Sequence, residues 1–160
     1  MKVRVFADTD LAAVHAIQLK CPQAAQWRQE DYLHLAYDRS GTLLVAEIAS
    51  ADLREVAGFA VFHRVMDEAE LRNIAVDPAH QRKGIARALL QAGIRALRES
   101  GGRRLFLEVR AGNQPALAFY TSAGCKLLYT RHGYYQNPPD DALVMTYDIA
   151  PSPIPAPPVA

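Results

Sequence analysis

The segment from Glu70 to Leu90, ELRNIAVDPAHQRKGIARALL, constrains the fold more than any other part of the chain. Its apolar run ends in Ile74, Ala75 and Val76 and is stopped by Asp77-Pro78, because proline cannot donate to a sheet ladder and pushes the residue before it out of the helical region. Gln81 to Ala86 then lead into a helix whose apolar positions Ile85, Leu89, Leu90 and Ile94 fall near a 3.6-residue period. Gly101-Gly102 supply the C-cap of that helix, near Ser100, and Arg104 to Val109 alternates as a strand does. With the helix as a right-handed crossover, the strands 70–76 and 104–109 are expected to lie parallel, with their ends beside the loop at 81–86.

That loop has a chemical use. The first N–H groups of a helix lack intrahelical partners and carry the positive end of its dipole, and Gly84, without a Cβ, lets a ligand approach the backbone. A diphosphate fits such a place. An ordinary solvated helix start with a basic turn explains the same string, but Arg82 and Lys83 oppose the helix dipole by a few tenths of a kcal/mol, roughly, unless an anion joins them.

Upstream, Val3 to Phe6 reads as a half-buried strand, and Asp8-Thr9-Asp10 offers N-caps for a helix carrying Leu11, Val14 and Ile17 that Pro22 ends. Trp27, ahead of a short helix at 29–37, reads as a partly buried packing residue, with direct substrate contact as the alternative. Strands follow at 42–49 and 56–65, paired antiparallel. Downstream, Asn113 caps a helix at 114–123 that tolerates Pro115 in its first turn and ends at Gly124. The last two strands, 125–135 and 142–149, are joined by a connection, 136–141, read as too proline-rich for strand. From Pro151 the string PSPIPAPPVA has five prolines in ten residues and reads as a disordered tail.

The chain of 160 residues, half of them hydrophobic, is of single-domain length, and a net charge of +1 argues against a broad nucleic-acid-binding face. Two cysteines, Cys21 and Cys125, stand far apart without metal-ligand company, and no apolar run has membrane-spanning length. The expectation is a soluble, cytoplasmic protein with reduced cysteines, neither of them a nucleophile.

Among residues that can carry chemistry, Glu108 lies on the strand face shared with Arg104 and Phe106, opposite Leu105, Leu107 and Val109. A solvated strand-end carboxylate is the plain reading of spacing alone. Tyr120, two helical turns beyond Asn113, reads equally well as an aromatic packed on the sheet or as a group facing the same ligand as Asn113. Tyr134 and Tyr135 are expected on opposite faces of their strand, so that at most one lines a groove, and Asp140 and Asp141 either receive a basic peptide or sit at a solvated hairpin tip. His63, His80 and His132, apart in sequence, read as ordinary histidines rather than metal ligands.

NIAVDPAHQRKGIARALL followed by LFLEVRAGNQPALAFYTSAGC resembles the acetyl-CoA-binding core of the GNAT N-acetyltransferases, and within that family most resembles the bacterial ribosomal-protein-alanine N-acetyltransferases. The resemblance implies an α/β (α+β) fold: a mixed, mostly antiparallel central sheet flanked by helices, with a parallel βαβ core, forming one acetyltransferase domain over residues 1–150. It implies acetyl-CoA as co-substrate and no metal. It places cofactor contacts on the backbone of Ile74, Ala75 and Val76, on Arg82, Lys83, Gly84, Ile85, Ala86 and Arg87 at the phosphates, and on Asn113. It makes Glu108 the general base for the amine and Tyr120 the acid for the departing thiolate. Ala86, where the pattern often has glycine, leaves the loop competent, and Cys125, where phenylalanine is usual, bears on packing rather than chemistry. The implied acceptor is a protein N-terminus, Ala-initiated, such as that of a ribosomal protein, with no nucleic acid or membrane as partner. A small amine or a lysine side chain as acceptor remains open, as does a CoA-sensing module without turnover, although retention of both Glu108 and Tyr120 speaks against the latter.

Overall fold

The computed structural model describes residues 1–151. The expected tail lies outside the described residues apart from Pro151. Seven strands form one mixed sheet. They are β1 (Lys2–Val5), β2 (Gly41–Ser50), β3 (Leu53–Val65), β4 (Glu68–Val76), β5 (Arg104–Arg110), β6 (Lys126–Gln136) and β7 (Pro139–Asp148), ordered β1-β2-β3-β4-β5-β7-β6. Among the described residues only β4 and β5 pair in parallel, as the crossover requires. Helices α1 (Leu11–Lys20) and α2 (Gln29–Tyr37) cover one face, and α3 (Ile85–Glu99) and α4 (Gln114–Ser122) cover the other.

Each face has its own apolar layer. Val14, Ile17 and Tyr32 pack on Phe59, Val61 and Ala75, while Leu89, Leu90, Ile94 and Leu97 of α3 pack on Ala60, Phe62, Leu71, Leu105 and Leu107. The alternation along β5, with Leu105, Leu107 and Val109 buried, follows from the pleat. Gly93 lets α3 settle on the sheet, since a Cβ there would fall 2.1 Å from the Phe62 ring. α3 ends as its sequence suggests: Gly101 takes a φ of +94° and Gly102 donates to the Leu97 carbonyl at 2.7 Å.

Two local expectations are corrected. Asp10 stands at the head of α1, after a 3₁₀ turn at Asp8–Asp10, but its side chain does not cap the helix. It is buried against Arg4, which grips both carboxylate oxygens at 2.7 and 2.9 Å, and it accepts the Ala7 N–H. A charged partner outcompetes a neutral helix amide for a carboxylate. The β6–β7 connection is only Asn137-Pro138, because Gln136 already pairs with Pro139 and Tyr135 with Asp140. Proline is tolerated as the first residue of a strand, so 139–141 belong to β7. Asp140 and Asp141 are occupied within the hairpin and its surroundings: Asp140 accepts the Gly112 N–H at 2.9 Å and Asp141 the Gly133 N–H at 2.8 Å.

Candidate active site

The parallel pairing of β4 with β5 covers only Glu68–Glu70 against Arg104–Phe106, although both strands continue beyond it. Past that point the strands part. The Asp77 N–H bonds to the Ala57 carbonyl, so ladder alternation turns the main-chain groups of Ala75 toward β3 and those of Ile74 and Val76 into the gap. On the other side, the Ala111 N–H bonds to Asp141 of the β7 side, so alternation turns the main chain of Glu108 toward β4. The fold thus leaves a slot between two strands with unpaired peptide groups along both edges. Part of it is spoken for: the Val76 carbonyl accepts from Cys21 Sγ at 3.3 Å and Gln81 Nε2 at 3.2 Å.

The slot is the floor of a cleft of about 1050 Å³. Of the residues singled out in the sequence, Ile74, Ala75, Val76, Arg82, Gly84, Ile85, Ala86, Arg87, Glu108, Asn113 and Tyr120 all line it. Lys83 does not. Its ammonium lies 3.5 Å from the Ala79 carbonyl and from His80 Nδ1, turned away from the cleft.

At one end of the cleft stands the N-terminus of α3. Arg82 and Gly84 both have positive φ, +64° and +78°, and this double left-handed bend swings the chain so that the helix starts against the cleft. Among the described residues no side chain caps that helix, so the first amides stay free to bind an anion. Nothing among the described residues comes within 4 Å of a Cβ built on Gly84, so the glycine answers the backbone conformation and the open approach, not a clash. Arg87 donates to Ser122 Oγ at 2.7 Å, which holds its guanidinium between α3 and α4.

Glu108 projects toward the α1/α2 side of the sheet, its side chain 28% exposed, with Arg131 Nε 3.5 Å from Oε1. Tyr120 lies on the other side, 7% exposed and packed with the α3 layer. Burial, and next the neighbouring Cys125 thiol, push its phenol well above the usual tyrosine range, so it stays protonated at any physiological pH. The slot is the passage between these two groups. Asn113 Oδ1 accepts the Ala116 N–H at 3.3 Å as the cap of α4, which leaves its Nδ2 as the side-chain group free to face a ligand. Burial raises both thiols, Cys21 above its ordinary value and Cys125 to about 11, so neither is a thiolate nucleophile at neutral pH.

Tyr134 and Tyr135 both line the cleft, against the alternation expected of a strand. A register shift between Arg131 and Tyr135, with Gly133 at φ +63°, breaks the two-residue period, and the two rings meet edge to face at 5.1 Å. Arg110 stacks 3.9 Å over Tyr135 and donates to the Asn137 and Pro138 carbonyls, holding the hairpin tip to β5. Trp27 packs on Tyr32 with Arg72 over its ring, as a packing residue would. Cys21 to Ala25, in the loop ahead of α2, form the wall opposite the hairpin, and Arg131 beside Glu108 is a residue that the sequence reading passed over. Arg131 carried no local signal, since its partner is distant in sequence. Among the described residues no group of histidine, cysteine and carboxylate side chains is arranged to hold a metal, and no helix is long and apolar enough to cross a membrane.

The profile of the acetyltransferase (GNAT) family matches residues 11–125. The [ribosomal protein bS18]-alanine N-acetyltransferases of Salmonella typhimurium and Escherichia coli are each 35% identical to the chain. The first aligns over 150 residues, 92% of this chain and 97% of its own, and the second over 144 residues, 89% and 93%. The crystal structure of the ribosomal-protein-S18-alanine N-acetyltransferase from Escherichia coli superposes with a TM-score of 0.77 at 31% identity, covering 97% of both chains. With a parted sheet, an open helix start facing the slot and this extent of likeness, the chain belongs to the GNAT family of acetyltransferases.

Proposed function

We propose that residues 1–150 form one acetyltransferase domain that moves the acetyl group of acetyl-CoA to the N-terminal α-amino group of a protein, preferably one beginning with alanine, such as a ribosomal protein, as for its 35%-identical relatives. The observation that carries the reading is the slot between β4 and β5, with Glu108 open to one side and Tyr120 to the other. An extended pantetheine arm can pair with the free peptide groups of Ile74 and Glu108 and with the N–H of Val76, as an added strand would. Its diphosphate then meets the free amides of α3 and the guanidinium groups of Arg82 and Arg87, with Ile85 and Ala86 contributing backbone, Lys83 only its amide, and Asn113 its Nδ2.

The acceptor enters from the α1/α2 side between the 21–28 loop and the tyrosine pair. Its neutral amine attacks the thioester carbonyl carbon, the C–S bond breaks, and Glu108 takes the proton that the amine sheds, directly or through water. An α-amino group with a pKa of about 7.7–8.0 needs no strong base. Tyr120 donates a hydrogen bond to the sulfur as negative charge builds. With its phenol raised by burial, full transfer to a thiolate of ordinary basicity is uphill, so Tyr120 stabilises the leaving group mainly by sharing its proton.

The test is CoA release and peptide mass with three acceptors: an Ala-initiated peptide, the same peptide N-formylated, and the formylated peptide with an added lysine. Acetylation of the first alone, on its α-amino group, is expected. Equal turnover of the lysine peptide would replace this acceptor with a side-chain amine.

A further inference from the structure

The wall of the cleft opposite the hairpin is the loop between α1 and α2, and Cys21 to Ala25 line it. A connecting loop of this kind moves unless something fixes it. Here two buried carboxamides do so, each gripping one loop residue by both its peptide groups. Asn73 of β4, 5% exposed, accepts the Ala25 N–H on Oδ1 at 3.1 Å and donates from Nδ2 to the Ala25 carbonyl at 3.0 Å. Gln18 of α1, 1% exposed, accepts the Trp27 N–H on Oε1 at 3.0 Å and donates from Nε2 to the Trp27 carbonyl at 2.9 Å.

Tyr32, fully buried, joins the two. Its hydroxyl donates to Gln18 Oε1 and accepts from Asn73 Nδ2 at 3.1 Å. Asn73 Nδ2 thereby uses both its hydrogens, Gln18 Oε1 both its lone pairs, and the hydroxyl its single proton. Neither amide can flip without setting donor against donor, so the network has one arrangement and fixes the loop in one position. A buried network of this kind is costly when its polar atoms lack partners, and here every polar atom of the three side chains has at least one.

Its place in β4 gives it a functional meaning. Between Leu71, opposite Phe62, and Asn73, opposite Val61, Arg72 is an extra residue, a bulge that reverses the faces of the strand. Without it Asn73 would share the face of Leu71 and point toward α3. With it, Asn73 points at the loop, Ile74 offers its peptide groups to the slot, and Val76 offers its N–H. One strand therefore holds the acceptor wall at one residue and lines the cofactor slot at the next ones.

Resting on the proposed function, we infer that Asn73, with Tyr32 and Gln18, is a positioning residue for the acceptor: it sets the spacing between the 21–28 wall and the thioester, and so the size of first residue the enzyme accepts. The test compares wild type with Asn73→Leu, which keeps size and burial but loses the grip on Ala25, and with Tyr32→Phe, which keeps the ring and removes only the link. Both are assayed with Ala- and Leu-initiated peptides, and acetyl-CoA binding is measured by calorimetry. Asn73→Leu is expected to raise the KM of the Ala peptide and to shrink the Ala-over-Leu preference in kcat/KM by about tenfold, with acetyl-CoA affinity unchanged. Tyr32→Phe should move both in the same direction by less, and it serves alone if Asn73→Leu does not fold. An unchanged preference in folded variants overturns the inference, as does a parallel loss of acetyl-CoA affinity, which would mark a general structural role. If the wild type acetylates no peptide, the proposed function fails separately from the tether. Hydrogen exchange at the Ala25 and Trp27 amides then reads the tether directly, and fast exchange in the wild type would overturn it.

Discussion

At the scale of single residues, the division of labour proposed for Glu108 and Tyr120 rests on where each stands. Glu108→Gln keeps size and hydrogen bonding but cannot take a proton. It should lower turnover at neutral pH by about 10²–10⁴-fold, with partial recovery at alkaline pH, where the amine deprotonates unaided. Tyr120→Phe removes the donor and leaves the packing, so turnover should fall across the whole pH range while acetyl-CoA binding is retained, and pH–rate profiles of the two variants check both expectations. Wild-type profiles for both would remove these roles. Local phase gives only the strand face of Glu108; the roles proposed for Glu108 and Tyr120 come from the family resemblance, since spacing alone reads a solvated carboxylate and leaves Tyr120 open as an aromatic packed on the sheet. Asn73, Gln18 and Tyr32 were not legible, because a buried polar residue is intelligible only through partners: Asn73 lies 48 residues from Ala25, and a bulge that no local pattern announces decides which way it points. Arg131 escaped for the same reason, its carboxylate partner being on β5.

At the scale of elements, the strand-loop-helix at 70–99 was read almost to the residue, since a proline stop, a helical period and a glycine cap are all local signals. The β6–β7 hairpin was misread in its tip and in its tyrosines, because proline at a strand start and a register shift depend on the partner strand. The start of α3 offers a clean experiment. Gly84→Ala and Gly84→Glu share the cost of a side chain at φ +78°, about 1–2 kcal/mol, and neither Cβ meets an atom of the described residues. Only glutamate adds negative charge where phosphate is proposed to sit. Gly84→Ala should therefore lose stability and keep most of its acetyl-CoA binding, whereas Gly84→Glu should lose both, and calorimetry with a melting curve separates the two effects. At the other end, Arg4 ties β1 to Asp10 and to Glu47 of β2. The Arg4 hydrogen bonds hold the Asp10 carboxyl below its ordinary range despite burial. A carboxyl depressed in the folded state contributes stability that is present above its unfolded pKa of about 4 and is lost as the pH falls through the folded value. Asp10→Asn should cost about 2 kcal/mol at pH 7 and flatten the loss of stability on acidification below pH ~4, as followed by denaturant melts across pH.

At the scale of the whole molecule, the sheet is two units joined at a narrow seam. β1 to β4 pair along long antiparallel ladders, and so do β5, β7 and β6, but β4 and β5 share only three paired positions before they part. The opening that makes a site is therefore also where the sheet is least held by its own hydrogen bonds. In the proposed binding mode, a ligand lying in the slot replaces the missing ladder and bridges the two units, while its phosphates engage α3. Acetyl-CoA at 100 times its Kd should raise stability by about 2.7 kcal/mol, a gain read as a melting-temperature rise of several degrees. Any tight ligand gives that rise, so its location is the discriminating observation. Hydrogen exchange should slow most at the gap-facing amides of Ile74, Val76 and Glu108 and at the first turn of α3, and should change little in β1 and β2. Protection spread evenly over the sheet, or a thermal shift that survives in Gly84→Glu, would mean that the cofactor does not close this seam.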